Sequence, residues 1–159
     1  MWWLIIVVAL AATAGTYLTW TAGRVERLHK RARNAESALL SALDSRAELI
    51  LEYIGQPAYE KACAIALSVV AVPVGTSSQR EMREYAENDL THALREVDER
   101  APGFDQVAEV NRRVSLARQI HTDVVRDAVA SRDLPSARLL GLLRRLERPK
   151  YWDIEDPAA

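Results

Sequence analysis

Residues 1–33 have the sequence MWWLIIVVALAATAGTYLTWTAGRVERLHKRAR, and this stretch decides how the rest of the chain is placed. No charged side chain occurs in residues 2–23. As an α-helix, this run rises roughly 30 Å at 1.5 Å per residue, which matches the hydrocarbon core of a bilayer. The stretch therefore predicts a membrane-spanning helix, and we assign residues 1–23 to an anchor.

Aromatic residues lie near both ends of the apolar run. Trp2 and Trp3 begin it, and Tyr17 and Trp20 come shortly before its end. Amphipathic rings favour the two interfaces between membrane and water. We therefore predict that these four side chains lie at the interfaces of an intact span.

A basic cluster follows the apolar run directly, and between residues 24 and 33 only Glu26 is acidic. Cytoplasmic flanks of spans are rich in Lys and Arg, so the cluster predicts an outside N-terminus and a cytoplasmic domain on the inner (plasma) membrane. The same side chains are candidates for contact with anionic lipid headgroups, worth roughly 1 kcal/mol each. The cluster consists of Arg24, Arg27, Lys30, Arg31 and Arg33.

Two other interpretations of the apolar run stay open. A secretory signal peptide is one, because residues 12–14 (Ala-Thr-Ala) resemble a cleavage site. However, no Lys or Arg precedes the run, whereas signal peptides begin with a basic region. A buried helix of a soluble core is the other interpretation, and the length of the run and its aromatic residues argue against it.

The sequence after Gly23 predicts a long amphipathic helix. Its apolar residues recur in steps of three and four, which places them on one helix face. No proline interrupts the join, so we expect the span and this helix to form one rod. The predicted inward residues are Val25, Leu28, Ala32, Ala35, Leu39, Leu43, Ala47, Ile50 and Ile54.

Turns punctuate the remaining helices. Gly-Gln-Pro at 55–57 predicts a turn before a second helix at about 58–72. The segment AIALSVVAV within it is compatible with a strand, but no alternating partner strand exists elsewhere in the sequence. Ser78 and Glu81 have the spacing of a capping box, which predicts the start of a third helix.

The third helix ends at the Ala-Pro-Gly of 101–103, a fourth runs from about 104 to 132, and a shorter, leucine-rich fifth begins at Pro135. The predicted inward residues of the third helix are Met82, Tyr85, Ala86, Leu90, Ala93, Leu94 and Val97. Those of the fourth are Val107, Val110, Val114, Ala117, Ile120, Val124 and Ala128.

Amphipathic helices joined by short loops are most simply satisfied by an antiparallel bundle. The predicted fold is therefore all-α: an N-terminal transmembrane helix that continues into an antiparallel helical bundle of four to five helices. Residues 24–147 form the cytoplasmic bundle. Residues 148–159 form an aromatic and acidic tail, in which Tyr151, Trp152 and Ile154 are expected to pack back on the bundle.

Composition excludes several classes of function. With 21 basic and 22 acidic side chains, the net charge of −1 gives no overall attraction to nucleic acid. Cys63 is the only cysteine, so no internal disulfide forms. We predict a buried, inert thiol there, because a reactive one needs a neighbouring base or a helix N-terminus to lower its pKa.

No catalytic signature is present. The six glycines build neither a P-loop nor a dinucleotide fingerprint, and no Glu-x-x-His pair of the kind used by di-metal bundles occurs. A metal-binding enzyme is the catalytic alternative, although charged residues at helical spacing more often belong to a solvated helix face than to a metal site. Its candidate ligands are Asp89, His92 and Glu96 on the third helix and His121, Asp123 and Asp127 on the fourth. We predict no metal, cofactor or small-molecule substrate, and we expect His29 to be a surface side chain.

The fourth helix carries a resemblance to a known family. Residues 113–127 (RVSLARQIHTDVVRD) resemble the most recognisable segment of the LemA family of bacterial membrane proteins, roughly E-N-R-I-x-x-A-R-x-x-Y-N-x-x-V. The matching positions are Arg113, Val114, Ala117, Arg118 and Val125. Asn111 and Arg112 stand where the family has Glu and Asn, and His121 and Thr122 replace Tyr and Asn.

Two further stretches are similar to that family. Arg46, Glu48 and Leu49 match its R-x-[DE]-L, without the Pro-Asn-Leu that continues it, and YWDIED resembles its closing tail. The chain thus resembles a divergent, actinobacterial-type LemA member. The resemblance implies a membrane-tethered, cytoplasm-facing helical domain with no assigned catalysis.

These observations predict a non-catalytic scaffold, adaptor or accessory subunit of a membrane assembly. Its expected partners are membrane lipids and either other membrane proteins or itself, with no nucleic acid. The alternatives are the metal-site enzyme and a homo-oligomeric membrane coat. A coat requires an exposed apolar face on the first or second helix.

Overall fold

The computed structural model describes residues 1–132 and 148–158, and within them it contains α-helices and no strand. The helices are α1 (Trp2–Leu51), α2 (Glu60–Ala71), α3 (Ser77–Arg95) and α4 (Phe104–Arg132), with a 3₁₀ turn (Pro57–Tyr59) before α2. The all-α class is confirmed, and α1 runs through Gly23 without a break. The fifth helix predicted from Pro135 lies outside the described residues.

The chain divides into two compact units, to which α1 and α4 each contribute. Unit 1 comprises Met1–Asn34 and Asp123–Lys150, and unit 2 comprises Ala35–Thr122 and Tyr151–Ala159. Unit 2 thus contains the C-terminal third of α1, all of α2 and α3, most of α4 and the C-terminal tail. The units are described separately below.

Unit 2 has an apolar core to which all four helices contribute. Near one end, Ala47 and Ile50 of α1 pack with Val107 of α4, and the 3₁₀ turn, α2 and α3 supply the rest of the cluster. Farther along, Leu39 and Leu43 of α1 pack with Val114. Because residue numbers fall along α1 as they rise along α4, these two helices are antiparallel, as predicted.

In unit 1, α1 packs around Ala32 against the C-terminal part of α4. Ala32 is buried with Val125 and Ala128. His29 was predicted at the surface, but it is 3% exposed, and this prediction was wrong. His29 Nδ1 lies 3.0 Å from the Val25 carbonyl oxygen and Nε2 lies 3.4 Å from Arg132, because His29 shares the inward stripe of Val25 and Ala32.

The start of α3 differs from the prediction by two residues. Thr76, and not Ser78, is the N-cap: its hydroxyl accepts from the Gln79 backbone N–H at 3.3 Å, and the Gln79 side chain accepts from the Thr76 N–H at 2.9 Å. Both pairs satisfy the capping-box spacing. The earlier start is favoured because each added helical residue gains a backbone hydrogen bond.

Four apolar residues predicted to face inward are exposed instead. Ile54 lies beyond the end of α1, in the turn. Ile120 is exposed because the buried stripe of α4 advances by seven residues, through Val107, Val114, His121 and Ala128. On α3, Met82 and Tyr85 are exposed because the inward positions are taken by Arg83, Glu87 and Thr91.

The corner before α4 depends on a glycine. Gly103 has φ +82°, a left-handed conformation, and a Cβ there would collide with the Tyr53 ring. Gly55 has a similar φ of +91° but open space around it. We expect Gly103→Ala to destabilise the protein by about 1–2 kcal/mol for the backbone and by a further ~1–3 kcal/mol for the collision.

Gly55→Ala is the matched control, because it carries the backbone cost alone. Urea denaturation of the full chain in detergent measures both variants. Equal losses of unfolding free energy in the two would contradict the packing of Tyr53 on this corner.

Candidate functional site

Residues 2–20 of α1 present an apolar surface that the other described residues leave almost entirely uncovered. The most apolar 18-residue window of α1 is 6% buried, and the helix is long and apolar enough to cross a membrane. Burial begins at Thr21, which is 3% exposed. A core helix of a soluble protein would be covered by its neighbours, so the structure does not support that interpretation of the apolar run.

The threonines of this segment are internally satisfied. The hydroxyls of Thr13, Thr16, Thr19 and Thr21 each donate to the carbonyl oxygen four residues earlier, at 2.8–3.1 Å. Hydrocarbon offers no hydrogen-bond partners, so a polar group there must be satisfied within the protein. The segment is therefore compatible with lipid despite its hydroxyl groups.

All nine predicted interface residues are exposed in unit 1. Trp2 and Trp3 lie at one end of the apolar segment and Tyr17 and Trp20 toward the other. The Arg24 guanidinium lies 5.8 Å from the centre of the Trp20 ring. The five basic side chains of the cluster point away from the buried stripe of Val25 and Ala32. They are thus free to face a headgroup layer.

Unit 2 contains a buried ionic network that the sequence pattern did not predict. Arg46 of α1 is 0% exposed, and its Nη2 donates to the Glu87 carboxylate at 2.6 Å and to the Glu87 carbonyl oxygen at 3.1 Å. Its Nη1 donates to the Thr91 hydroxyl at 3.0 Å. The second carboxylate oxygen of Glu87 accepts from Arg83 Nε at 2.8 Å, and Arg83 also donates to Asp44 at 2.7 Å.

One buried carboxylate therefore lies between two guanidinium groups. Burial lowers the pKa of Arg46, and the charge of Glu87 opposes that shift. Burial alone would also lower the pKa of Arg83, but its hydrogen bonds to Asp44 and Glu87 outweigh burial and raise it. Arginine stays charged in proteins, so the network fixes the pairing of α1 with α3.

A second polar cluster surrounds the tail residue Trp152. Its indole N–H donates to the Glu36 carboxylate at 3.1 Å, and the Arg80 guanidinium lies 4.2 Å from the centre of the indole ring. Trp152 and Ile154 are buried with Leu39, Leu43 and Val114, whereas Tyr151 is exposed. The predicted packing of the tail is thus confirmed for Trp152 and Ile154 and wrong for Tyr151.

His121 of α4 is buried near this cluster. Burial lowers its pKa below the ordinary value, the carboxylate of Glu36 opposes the shift, and the charge of Arg80 adds to it. The neutral imidazole is therefore favoured in the folded protein. His121 was predicted only as a possible metal ligand.

The candidate metal ligands do not come together. Glu96 pairs with Lys61, His92 pairs with Glu155 and Asp123 pairs with Arg126. Within residues 1–132 and 148–158, no group of three or more His, Cys, Asp or Glu side chains is arranged to hold a metal ion. Cys63 is buried, its thiol donates to the Ile50 carbonyl oxygen at 3.2 Å, and burial raises its pKa.

Comparison with known protein families, curated proteins and solved structures finds no match for this chain. The similarity to the LemA family stays a prediction from the residues quoted above.

The buried network makes a prediction about charge. Glu87→Gln leaves two guanidinium groups without a buried counter-charge, so we expect a loss of about 3–5 kcal/mol of unfolding free energy. Arg46→Met combined with Glu87→Leu removes both charges and should cost less than the sum of the single changes. Chemical denaturation of the full chain in detergent measures each variant.

Lys61→Ala is the control, because it breaks the 2.7 Å pair of Lys61 with Glu96, whose side chains are more than half exposed. An exposed pair contributes little to stability. A Glu87→Gln variant as stable as the Lys61→Ala variant would show that the network carries no stability.

The burial of His121 predicts a pH dependence. Its pKa is lower in the folded chain than the ordinary value of about 6.5 in the unfolded chain. Its contribution to stability is therefore fully present above about pH 6.5 and is lost as the pH falls toward the folded pKa, at up to ~1.4 kcal/mol per pH unit. Thermal or urea unfolding between pH 7 and pH 5 measures this slope.

We expect His121→Phe to flatten the slope. The carboxylate of Asp156 acts in a separate window, since its hydrogen bonds to the Ala158 backbone and to Ser115 lower its pKa from 3.8. An unchanged slope in His121→Phe would assign the pH dependence to other groups.

Proposed function

We propose that this chain is a single-pass membrane protein whose helical part acts through protein and lipid contacts, as a scaffold, adaptor or accessory subunit of a membrane assembly. The observation that carries the proposal is the uncovered apolar surface of α1, which ends where protein burial begins at Thr21. Residues 2–20 rise about 28 Å as a helix, close to the hydrocarbon thickness of a bilayer.

The exposed basic cluster supports an orientation. Arg24, Arg27 and Lys30 follow the span within three helical turns, and positive residues at this distance are retained on the cytoplasmic side. We therefore place the N-terminus outside the cell, and all of unit 2 and the part of unit 1 that follows the span in the cytoplasm, on the inner (plasma) membrane. The LemA resemblance implies the same arrangement.

The proposed mechanism is tethering. Confinement to one leaflet raises the effective concentration of the helical units for any partner in the same membrane. In unit 2, the buried ionic network and the shared apolar core hold the four helices in one arrangement, which gives a partner a fixed surface. No covalent step is part of this proposal.

A homo-oligomeric coat is a second candidate, and one observation favours it. Leu67 and Val70 of α2 and Val74 in the loop after it are exposed apolar side chains in unit 2. Exposed apolar residues that lie close together mark sites of association. Crosslinking in intact membranes separates the candidates, because a coat yields mainly crosslinks between identical chains.

The orientation has a direct test. In a Cys63→Ala background, Ala158→Cys gives one exposed thiol in the tail. A membrane-impermeant maleimide should label this thiol only after the cells are permeabilised. Changing the five basic residues of the cluster to Gln removes the topological signal, so a substantial fraction of the chain should then label in intact cells.

The control changes five exposed basic residues elsewhere to Gln and should keep the original labelling. These residues are Lys61, Arg100, Arg112, Arg113 and Arg126. Labelling of the parent chain in intact cells would contradict the orientation. Recovery of the chain in the soluble fraction after cell lysis would contradict the anchor.

A further inference from the structure

Side chains of unit 2 bind the main chain of the C-terminal tail. Asn88 is the centre of this arrangement: its Nδ2 donates to the Asp153 carbonyl oxygen at 3.1 Å and its Oδ1 accepts from the Glu155 N–H at 2.8 Å. A neighbouring β-strand would make the same pair of contacts to an extended segment. One amide side chain of α3 therefore takes the place of a strand.

Four further residues engage the tail backbone on either side of Asn88. All four contacts are charge-assisted, which makes them stronger than neutral hydrogen bonds. Glu84 accepts from the Asp153 N–H at 3.2 Å, Arg118 donates to the Ile154 carbonyl oxygen at 2.7 Å, Arg95 donates to that of Asp156 at 2.8 Å, and Arg80 donates to that of Tyr151 at 3.4 Å.

Leu39, Leu43, Asn88 and Val114 of unit 2 line the surface on which the tail lies, which we call the groove. The tail side chains alternate between this groove and solvent. Trp152 and Ile154 are buried, whereas Tyr151 and Asp153 are exposed. This period of two is the pattern of an extended segment lying on a surface. Pro157 is also buried. The groove thus holds apolar residues at the first, third and sixth positions of Trp-x-Ile-x-x-Pro.

Charge adds a further requirement. Glu155 lies 3.0 Å from Arg95 and 3.2 Å from His92. The groove therefore supplies a cation, Arg95, where the tail supplies the Glu155 carboxylate. A segment with a basic residue at this position would be repelled.

A tail that only covered the core would not need this recognition. Its backbone runs at the surface, where water satisfies N–H and C=O groups at no cost. Instead, side chains from α3 and α4 reach six main-chain groups, which belong to residues 151, 153, 154, 155 and 156. These contacts fix an extended conformation, as binding sites for linear peptides do.

We propose that this groove is a binding site for extended acidic peptides of the form Trp-x-Ile-x-x-Pro, and that its ligand, beyond the chain's own tail, is the tail of a second copy. The second tail fits because its sequence is the same. Exchange of an identical segment between copies conserves every contact, so only the cost of association opposes it. Tethering lowers that cost, and in this respect the inference rests on the proposed function.

The first test uses a synthetic peptide of residues 150–158 (KYWDIEDPA) with a fluorescent label. The receptor is the full chain in detergent micelles carrying Trp152→Ala and Ile154→Ala, which removes the anchors of its own tail. Fluorescence anisotropy should show saturable binding to this receptor and at least ~10-fold weaker apparent binding to the unmodified chain, whose groove is occupied. A peptide carrying Trp152→Ala should bind roughly 100-fold more weakly.

Variants of the receptor test the backbone recognition. Asn88→Ala removes two hydrogen bonds and should weaken peptide binding roughly 10-fold. Asp89→Ala is the matched control, since it changes the exposed neighbour. Circular dichroism and urea unfolding establish that each receptor is folded. A folded receptor that does not bind the peptide, or that binds a scrambled peptide equally well, would overturn the proposal.

The second test asks whether tails cross between copies. In a Cys63→Ala background, one copy carries Glu84→Cys in the groove and the other carries Asp153→Cys in the tail. The two copies are placed in the same vesicles of phosphatidylcholine and phosphatidylserine and oxidised. A disulfide between the copies supports exchange, and its absence alongside peptide binding in micelles would refute the second copy as ligand.

This design separates the two proposals. The micelle assay needs no bilayer, so its result on peptide binding does not depend on whether α1 spans a membrane. Failure of the chain to insert into vesicles would count against the proposed function and leave the groove's specificity as measured.

Discussion

The arrangement of unit 2 depends on one buried guanidinium. Arg46 lies inside the helices with no solvent contact, and a charge in that position is tolerated only with a counter-charge and hydrogen bonds. Glu87 and Thr91 supply them from α3. These partners lie one helical turn apart on α3. A shift or rotation of α3 against α1 would therefore leave the buried guanidinium of Arg46 without its hydrogen-bond partners. The ionic network therefore favours the observed register of α3 against α1.

The same constraint explains which sequence-based predictions succeeded. The four described helices, the turns between them and the antiparallel pairing of α1 with α4 follow from apolar periodicity and from the glycines and prolines between segments. The face of α3 does not, because periodicity counts Arg83, Glu87 and Thr91 as surface residues and assigns the core to Met82 and Tyr85. Polar residues spaced four apart are a weak signal for burial, since the same spacing is common on solvated faces.

The histidines and the tail show a second limit of prediction from sequence. His29 and His121 occupy inward positions that only the helix register reveals, and Ile120 was preferred to His121 because it is more apolar. The burial of Trp152 and Ile154 was predictable from their chemistry. Their binding site was not, because Glu36, Asn88 and Arg118 are far apart in sequence and each is unremarkable in its own segment. The interface residues of α1, by contrast, stay a prediction from the sequence, and the structure shows only that all nine side chains are exposed.

The burial of Thr21 has a mechanical consequence for the anchored state proposed here. Trp20 is exposed and Thr21 is covered, so no unstructured spacer separates the lipid-facing residues from the first packed residues of unit 1. α1 is continuous through this point, and a continuous helix transmits torque. A rotation of the span about its long axis would therefore turn the packed part of unit 1 by the same angle. If a neighbouring transmembrane helix fixed the rotation angle of the span, it would also determine which side of the packed part of unit 1 faces that neighbour.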